Sequence, residues 1–332
     1  MRYALAGLVA LLCSDVALAG SLNSVTYTHV GGSGSYEQVT HMQPGVWPSC
    51  TANIQKCVKK SVQVSGKLAP FDDELTFAFS GPMRLRNIAV YQPTGKATAW
   101  NKVSSWSPSR KPTNLVFMNN MGGGKSGEWD ICAGASQSYA SGDWTKSVAR
   151  PNEQLFSGWL QPGYEINIMT DKPCSSKLPC RGFARGTANH GWAGSKLIAI
   201  ELEAPYGGND GSSIWALNAQ VVRSAQYGCN CRGMGSPGGC GEIDLMETLV
   251  SGNTSRAFSE IYSFKGATGT GSNHWWDRPV QCTVFIAIFD VEKDLIQLMR
   301  LPTNKFSFSS SKINEAQLLK MLKSQGLVVP FH

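Results

Sequence analysis

Short segments in which apolar and polar residues alternate recur along most of the chain. Residues 75–79 (Leu-Thr-Phe-Ala-Phe) are one example, and similar segments lie at 86–91, 115–118, 165–169, 196–202, 214–222, 283–289 and 295–299. Each is rich in β-branched or aromatic residues and is bounded by Gly, Pro, Asn or Ser, which is typical of strands that end in turns. Many short strands separated by turns predict an all-β fold, a β-sandwich or jelly roll.

One segment near the end of the chain has a helical pattern instead. Residues 314–324 are amphipathic, Asn314 is a favourable N-cap, and Gly326 lies just beyond the last turn. These signals predict one helix there.

The first 19 residues read as a secretory signal. Met1 and Arg2 form a short basic start, residues 3–12 are apolar, and Ala17-Leu18-Ala19 is a small-x-small cleavage site. The apolar run is shorter than the roughly 20 residues that span a bilayer, and no later segment reads as a membrane span. We therefore expect a secreted protein that begins at Gly20 and acts outside the cell or in a cell wall.

Residues 20–65 differ in composition from the rest of the chain. Gly31-Gly32-Ser33-Gly34-Ser35 is a flexible type of sequence, and two prolines and two close cysteines follow it. We expect a small Gly-rich N-terminal β unit over 20–65 and one large β domain over 66–332.

The charge pattern narrows the range of partners. The 332 residues carry a formal net charge of +7, and the Lys and Arg residues are scattered without a run of five. A nucleic-acid surface normally shows such residues in clusters, so we expect no nucleic-acid partner.

The cysteines indicate an oxidising compartment. Nine of the ten follow the signal segment, so an odd thiol is expected. Three local pairs are plausible: Cys50 with Cys57, Cys174 with Cys180, and Cys240 with either Cys229 or Cys231. A zinc site at Cys229 and Cys231 is disfavoured because zinc ligands are usually spaced more widely. We expect neither a metal nor a cofactor.

The candidate chemistry lies at Glu242-Ile243-Asp244-Leu245-Met246-Glu247. Cleavage of a glycosidic bond with retention needs two carboxyl groups about 5–5.5 Å apart, one as nucleophile and one as acid/base. Residues i and i+2 of a strand share a face, so Glu242 and Asp244 point together while Glu247 points away. A one-residue β-bulge near Leu245 and Met246 would return Glu247 to their side. Carboxyls this close cannot all ionise easily, but this argument leaves the roles of Glu242 and Glu247 interchangeable.

The same stretch resembles the E-[ILV]-D-x-x-E signature of family 16 glycoside hydrolases, and residues 213–218 resemble the W-P-A-[IF]-W-[ML]-L stretch that precedes it there. A closer resemblance is to the Tos-one-like cell-wall glycosyl hydrolases of fungi. It is carried by residues 214–220, 224–227, 229–231 and 239–242, and it extends to 66–75, 80–82 and 278–279. The Gly-rich N-terminal part resembles the small domain that accompanies that family.

The resemblance implies a concanavalin-like β-jelly-roll sandwich that acts on β-1,3-glucan. It also implies that Glu242 is the nucleophile, Asp244 its orienting helper and Glu247 the acid/base. The chain departs from family 16 in two places. Residues 260–263 (Glu-Ile-Tyr-Ser) stand where a strand of that family often carries a His, so either Tyr262 substitutes for it or the binding of the sugar differs. Gly211-Ser212-Ser213 replaces W-P-A.

Further residues are candidates for substrate binding. Trp215 could form a floor beside the cleaved sugar or be a core residue. Trp275 and Trp276 lie in a loop-like sequence, so at least one of them is expected to be exposed, and exposed aromatics mark binding surfaces. His190 could line the cleft or be a structural histidine. Asn253 begins an N-glycosylation sequon.

These observations predict a secreted, monomeric, retaining glycoside hydrolase that acts on β-1,3-glucan of cell walls. Two alternatives stay open. The protein could be a glucan transglycosylase for wall remodelling, or a non-catalytic protein that binds wall glycans on the same scaffold.

Overall fold

The computed structural model describes residues 20–42, 57–94, 99–129, 137–207, 211–221, 226, 229–233, 239–323 and 326–332. These residues form 21 strands, one 3₁₀-helix and one α-helix. The strands are β1 (Gly20–Ser21), β2 (Ser24–Thr28), β3 (Gly32–Met42), β4 (Cys57–Gly66), β5 (Leu75–Ser80), β6 (Met83–Pro93), β7 (Trp100–Trp106), β8 (Val116–Asn119), β9 (Ser138–Tyr139), β10 (Trp159–Leu160), β11 (Glu165–Met169), β12 (Lys196–Glu203), β13 (Ser213–Asn218), β14 (Glu242–Thr248), β15 (Arg256–Ser263), β16 (Gly266–Gly269), β17 (His274–Asp277), β18 (Thr283–Asp290), β19 (Leu295–Leu301), β20 (Lys312–Ile313) and β21 (Leu327–Pro330). The 3₁₀-helix covers Thr303–Lys305 and the α-helix, α1, covers Glu315–Leu322.

Most of the strands belong to two large sheets. Sheet I has the order β1-β17-β15-β14-β13-β5-β11-β8-β9, with β16 paired to β15. Sheet II has the order β20-β7-β6-β12-β18-β19-β2-β21, with β10 paired to β6. Pairing is antiparallel except for β1 with β17 and β2 with β21. The two sheets form the predicted all-β jelly-roll sandwich, which is confirmed.

The main core lies between the two sheets. Alternate residues of each strand point inward, so Ile214 and Ala216 of β13 meet residues such as Phe285 and Ala287 of β18 in one apolar cluster. A fully buried aliphatic or aromatic side chain stabilises the fold by about 1.5–3 kcal/mol. The alternation leaves the opposite face of sheet I free to carry polar side chains.

The outer face of sheet II is covered by α1 and the segment before it. Leu318 of α1 packs against Leu197, Ile286 and Ile288. Asn314 caps the helix, because its side chain accepts from the N–H of Gln317 while the Gln317 side chain accepts from the N–H of Asn314. The predicted helix is confirmed in this place. One face of β18 packs in the core between the sheets and the other packs under α1, so every residue of β18 is buried.

The N-terminal part differs from the separate unit expected over residues 20–65. Strand β2 pairs with β19 and β21 inside sheet II, and Val25 and Tyr27 are fully buried in the main core. Only β3 and β4 stand apart, as a two-stranded hairpin. Strand β2 belongs to the sandwich because its apolar and polar residues alternate as in the other core strands, and its apolar residues are buried with theirs.

The hairpin packs on the free face of sheet I. Tyr36, Val62 and Val64 contact Trp215 and Leu217 of β13, and Gln38 donates a hydrogen bond to Gln220 (2.5 Å). The hairpin therefore forms a wall along one part of this face.

Three disulfides join described cysteines. Cys174–Cys180 is confirmed, and of the two partners considered for Cys240 the structure has Cys231. The predicted Cys50–Cys57 pair is wrong, because Cys57 is bonded to Cys229, 172 residues away, where β4 passes over segment 229–233. Cys50 and Cys132 lie outside the described residues, and Cys282 has a free thiol.

The predicted signal segment, residues 1–19, also lies outside the described residues. Within the part of the chain that is described, no helix has both the length and the apolar character needed to cross a bilayer.

Candidate active site

Strand β14 contains a one-residue bulge. Asp244 lies opposite Glu260 of β15, whereas Glu247 lies opposite Phe258, so three steps along β14 face two steps along β15. The ladder with β13 shows the same irregularity, since Asp244 faces Trp215 and Met246 faces the preceding residue. The predicted bulge is confirmed.

The bulge decides which side chains share a face. Leu245 and Met246 are consecutive, yet both are buried in the main core. Glu242, Asp244 and Glu247 consequently all lie on the free face of sheet I and line one pocket of about 320 Å³. A regular strand would have turned Glu247 to the other side.

The three carboxyl groups differ in depth. Glu242 is 1% exposed and Asp244 is 9% exposed, while Glu247 lies at the exposed rim. The strand begins directly after Gly241, whose φ is +108°. A Cβ on Gly241 would lie 2.9 Å from Cγ of Pro70, so both the backbone conformation and the close approach require glycine here.

Arg232 enters the pocket beside Glu242. Its Nε and Nη2 contact the two carboxylate oxygens of Glu242 in an ion pair. The sequence reasoning missed this residue, although one signal was present. Arg232 directly follows Cys231, whose disulfide partner Cys240 lies two residues before Glu242.

Burial raises the pKa of all three carboxyl groups, and like charges raise those of Asp244 and Glu247 further. Burial is the largest cause at Glu242, where Arg232 opposes it. Asp244 has a pKa well above its ordinary value because it is buried and because Glu242 and Glu247 add like charges. At Glu247 burial raises the pKa first, and the charges of Glu260 and Glu242 raise it further. Such a cluster can hold protons near neutral pH.

Strand β15 adds two polar groups to the same face. Tyr262 lies opposite Glu242, and its hydroxyl donates to the carboxylate of Glu260. Burial raises the pKa of Tyr262, so the phenol stays protonated. Glu260 is exposed, and Glu165 of β11 also lines the pocket. The sequence reasoning singled out neither carboxylate.

Aromatic residues flank the carboxyl groups on both sides along the sheet. Trp215 is 5% exposed and lines the pocket floor beside Asp244. Phe258 lies opposite Glu247 and is half-buried. On β17, Trp276 pairs with Ala257 and faces the core, so the half-buried Trp275 faces the other way. The Arg256 guanidinium lies 3.5 Å from its ring centroid.

Two predicted substrate contacts need correction. Trp276 is fully buried and packs edge-on against Phe285, with ring centroids 5.5 Å apart, so it offers no surface to a ligand. His190 does not line the carboxylate pocket. Its Nδ1 lies 2.9 Å from Oε1 of Glu74 and its Nε2 lies 3.3 Å from the carbonyl of Leu178. It is a structural histidine that joins two loops.

Asn253 lies exposed in the turn between β14 and β15. Its Oδ1 accepts a hydrogen bond from the hydroxyl of Ser255 (2.5 Å). The position is open enough for a glycan, and glycosylation stays a prediction.

The described residues contain no group of three or more His, Cys, Asp or Glu side chains that could hold a metal ion. Cys229 and Cys231, which were considered as zinc ligands, are both in disulfides.

Comparison with known proteins identifies one protein family along most of the chain. The model of the family described as "Cell wall protein YJL171C/Tos1, C-terminal" matches residues 98–321, and its N-terminal counterpart matches residues 23–93. No solved structure matches the chain.

Several curated proteins are similar to the chain. A Candida albicans protein named "Probable circularly permuted 1,3-beta-glucanase TOS1" is 32% identical over 259 residues, which cover 71% of this chain and 53% of that protein. Proteins from Saccharomyces cerevisiae and Schizosaccharomyces pombe, also named as probable circularly permuted 1,3-beta-glucanases, are 28% and 31% identical. These matches cover 76% and 64% of this chain, and 67% and 44% of the respective relatives.

The chain thus spans about half of the length of the Candida relative. The family match covers most of the described sandwich, including the bulged strand β14. It confirms the resemblance found in the sequence, and the chain belongs to the YJL171C/Tos1 family of cell wall proteins.

Proposed function

We propose that the protein is a retaining glycoside hydrolase that cleaves β-1,3-glucan in cell walls, outside the cell. The observation that carries this proposal is the bulge in β14, which places Glu242, Asp244 and Glu247 together in one pocket. The substrate class is supported by the names of the similar proteins and by the family description.

In the first step, the Glu242 carboxylate attacks the anomeric carbon while Glu247 donates its proton to the departing glycosidic oxygen. The C–O bond to the leaving sugar breaks and an ester to Glu242 forms. In the second step, Glu247 takes a proton from a water molecule whose oxygen attacks the same carbon, and Glu242 leaves as a carboxylate. Two inversions give net retention.

The surroundings of the two glutamates favour these roles over the reverse. Glu242 must be ionised to attack, and it is the carboxylate in direct contact with the Arg232 cation. Glu247 must hold a proton, and its pKa is raised by burial and by the charges of Glu260 and Glu242. Burial raises the pKa of both groups, but Arg232 lowers that of Glu242 while neighbouring carboxylates raise that of Glu247 further. Differences of this kind are how paired carboxyls acquire distinct roles.

Asp244 lies between the two on the same face. Because its pKa is raised well above the ordinary value, it can carry a proton and donate a hydrogen bond to a neighbouring carboxylate. In this role it orients Glu242 and limits repulsion among the three groups.

The test is hydrolysis of soluble β-1,3-gluco-oligosaccharides by the wild type, Glu242→Gln and Glu247→Gln. Loss of an acid/base typically lowers the rate by 10²–10⁴-fold, that is, about 3–5 kcal/mol, and loss of the nucleophile should lower it at least as much. Glu292→Gln, which changes an exposed glutamate in the turn between β18 and β19, should keep full activity. Hydrolysis at the wild-type level in both site variants would refute the assignment of the two glutamates. No hydrolysis by the wild type would favour a glycan-binding protein.

Azide rescue assigns the roles separately. With an activated aryl glycoside of a β-1,3-glucan oligomer, Glu247→Ala still forms the glycosyl ester, and azide attacks it without a general base to give a β-glycosyl azide. In Glu242→Ala, azide can occupy the vacated space and give the α-glycosyl azide. The opposite pairing of products and variants would reverse the assignment.

Transglycosylation is a second candidate because Phe258 and Trp275 extend the free face beyond Glu247. Aromatic faces there could hold a sugar acceptor in place of water. Products longer than the added oligosaccharide would identify this activity.

A further inference from the structure

Arg232 is held in place from two directions. Cys229, three residues before it, is bonded to Cys57 of the hairpin strand β4. Cys231, its neighbour, is bonded to Cys240 just before β14, and the N–H of Cys240 donates to the carbonyl of Cys231 (2.7 Å). The backbone at Arg232 is thus fixed relative to both the hairpin and the start of the bulged strand.

The contact with Glu242 has a defined geometry. Both Nε and Nη2 of Arg232 face the carboxylate, one to each oxygen, and the backbone N–H of Arg232 donates to Oδ1 of Asn230 (2.7 Å). The Nη2 group donates a hydrogen bond to Oε1, and Nε makes an ion-pair contact with Oε2. A charge-assisted hydrogen bond of this kind is stronger than a neutral one. The Arg232 side chain is 14% exposed, so water screens the pair only weakly.

Among the described residues that line the pocket, Arg232 is the one cation, and Glu165 of β11 adds another carboxylate to the lining. On β14 the nearby groups are Asp244 and Glu247, β15 presents Tyr262, and β13 presents Leu217 at the paired position. Within the described residues of the pocket, Arg232 is therefore the cation that balances Glu242.

We propose that Arg232 is a positioning residue that keeps Glu242 ionised and correctly oriented, and that the two disulfides flanking it hold it in that contact. In the attack step the charged carboxylate is ready without prior loss of a proton. In the second step the same arginine stabilises the carboxylate that departs from the glycosyl ester. The inference rests on the proposed function, because it assigns a role in that same reaction.

The first test compares Arg232→Gln and Arg232→Lys with the wild type in profiles of kcat/KM against pH. The acidic limb of the profile reports ionisation of Glu242. Without the cation the pKa of Glu242 rises, so the midpoint of this limb should move to higher pH by about one unit or more in Arg232→Gln. Activity one unit below the wild-type midpoint should then fall by about tenfold. Arg232→Lys keeps the charge and should shift the limb less.

The matched control is Arg181→Gln, which breaks an arginine–carboxylate pair with Asp73 outside the pocket (2.9 Å). It should leave the profile unchanged. A uniform loss of activity in Arg232→Gln without movement of the acidic limb would show a merely structural role and overturn the proposal.

The second test removes the Cys231–Cys240 disulfide, one of the two that flank Arg232, by changing both cysteines to serine. The acidic limb should move in the same direction although Arg232 is present. Adding Arg232→Gln should cause little further shift, because both changes break one contact. Fully additive shifts would contradict the role of the disulfide. Replacing Cys57 and Cys229 by serine releases the same segment from the other side, and the same result is required if the first pair does not fold.

A readout without substrate separates this inference from the proposed function. The carboxyl carbon of Glu242, labelled with ¹³C and assigned by its absence in Glu242→Gln, can be titrated by NMR in the wild type and in Arg232→Gln. An inactive wild type whose Glu242 titration still shifts would contradict only the proposed function. An active wild type with identical titrations in both proteins would contradict only the role of Arg232.

Discussion

Glu260 lies directly opposite Asp244 across the β14–β15 ladder, on the face that carries Glu242 and Glu247. A further carboxylate thus lies beside the pocket, and its charge raises the pKa of both Asp244 and Glu247. Tyr262 donates a hydrogen bond to Glu260 and keeps it on this face.

We predict that Glu260→Gln moves the alkaline limb of the activity profile to lower pH. That limb reports loss of the proton from Glu247, and removal of a neighbouring negative charge lowers its pKa. A shift of up to about one pH unit is expected because Glu247 is exposed at the rim. The measurement is kcat/KM against pH, with Glu203→Gln on sheet II as the control. An alkaline limb that stays in place would show that Glu260 does not act on the acid.

Gly241 gives a prediction about stability. Gly241→Ala adds a Cβ at a φ of +108°, 2.9 Å from Pro70. We expect the free energy of unfolding to fall by about 1–3 kcal/mol, as measured by urea denaturation. Gly207→Ala is the matched control, because a Cβ there meets nothing within 4 Å. Equal stability of the two variants would argue against strain at the start of β14.

The buried Lys196 predicts a dependence of stability on pH. Its ammonium donates to the carbonyls of Phe71 (3.0 Å) and Asp73 (3.1 Å), yet burial lowers its pKa to about 7. Between pH 7 and 10.5 the unfolded chain binds a proton that the folded chain lacks, so this group makes stability rise with pH. Below pH 7 both states hold the proton and the slope disappears.

The expected contribution is about 2–3 kcal/mol between pH 7 and 9. Lys196→Met should remove this rise, whatever its effect on stability at a single pH, whereas Lys59→Met on the exposed hairpin should retain it. Parallel pH profiles of unfolding free energy in the wild type and Lys196→Met would contradict the prediction.

The aromatic side chains beyond Glu247 predict an effect on longer substrates. Trp275→Ala and Phe258→Ala should each raise KM for long oligosaccharides on the order of tenfold, equal to about 1.4 kcal/mol, and should reduce any transfer products. Trp159→Ala is the control, since Trp159 is also a half-buried tryptophan with an arginine over its ring, but it lies on sheet II. Unchanged KM in the Trp275 and Phe258 variants would remove this region from the substrate path.

Much of the site could be predicted from local sequence, because the extra residue of the bulge lies within the sequence of the single strand β14. The intervening Leu245 and Met246 are both apolar, so the main core draws both inward and the glutamates share the other face. The local pair Cys231–Cys240 pointed to the arginine, but the second disulfide that holds its segment links parts far apart in the chain and could not be predicted in this way. Cys57 and Cys229 are 172 residues apart.

The two adjacent tryptophans show a different limit. Trp275 and Trp276 were expected in a loop, where both could be exposed, but they lie on a strand. Neighbours on a strand point to opposite faces, so one is buried in the core and the other is not. Recognition of β17 as a strand would have separated them.

The hairpin wall also limits the shape of polymer that the pocket can accept. Tyr36, Val62 and Val64 cover the face of sheet I at Leu217, while the opposite flank of the pocket ends at the exposed turn near Val250. A side branch on a bound chain would collide with the hairpin if it pointed one way and would reach solvent if it pointed the other. The pocket would therefore exclude a polymer whose branch points towards the hairpin and accept one whose branch points towards solvent. An unbranched stretch would be accepted in either orientation.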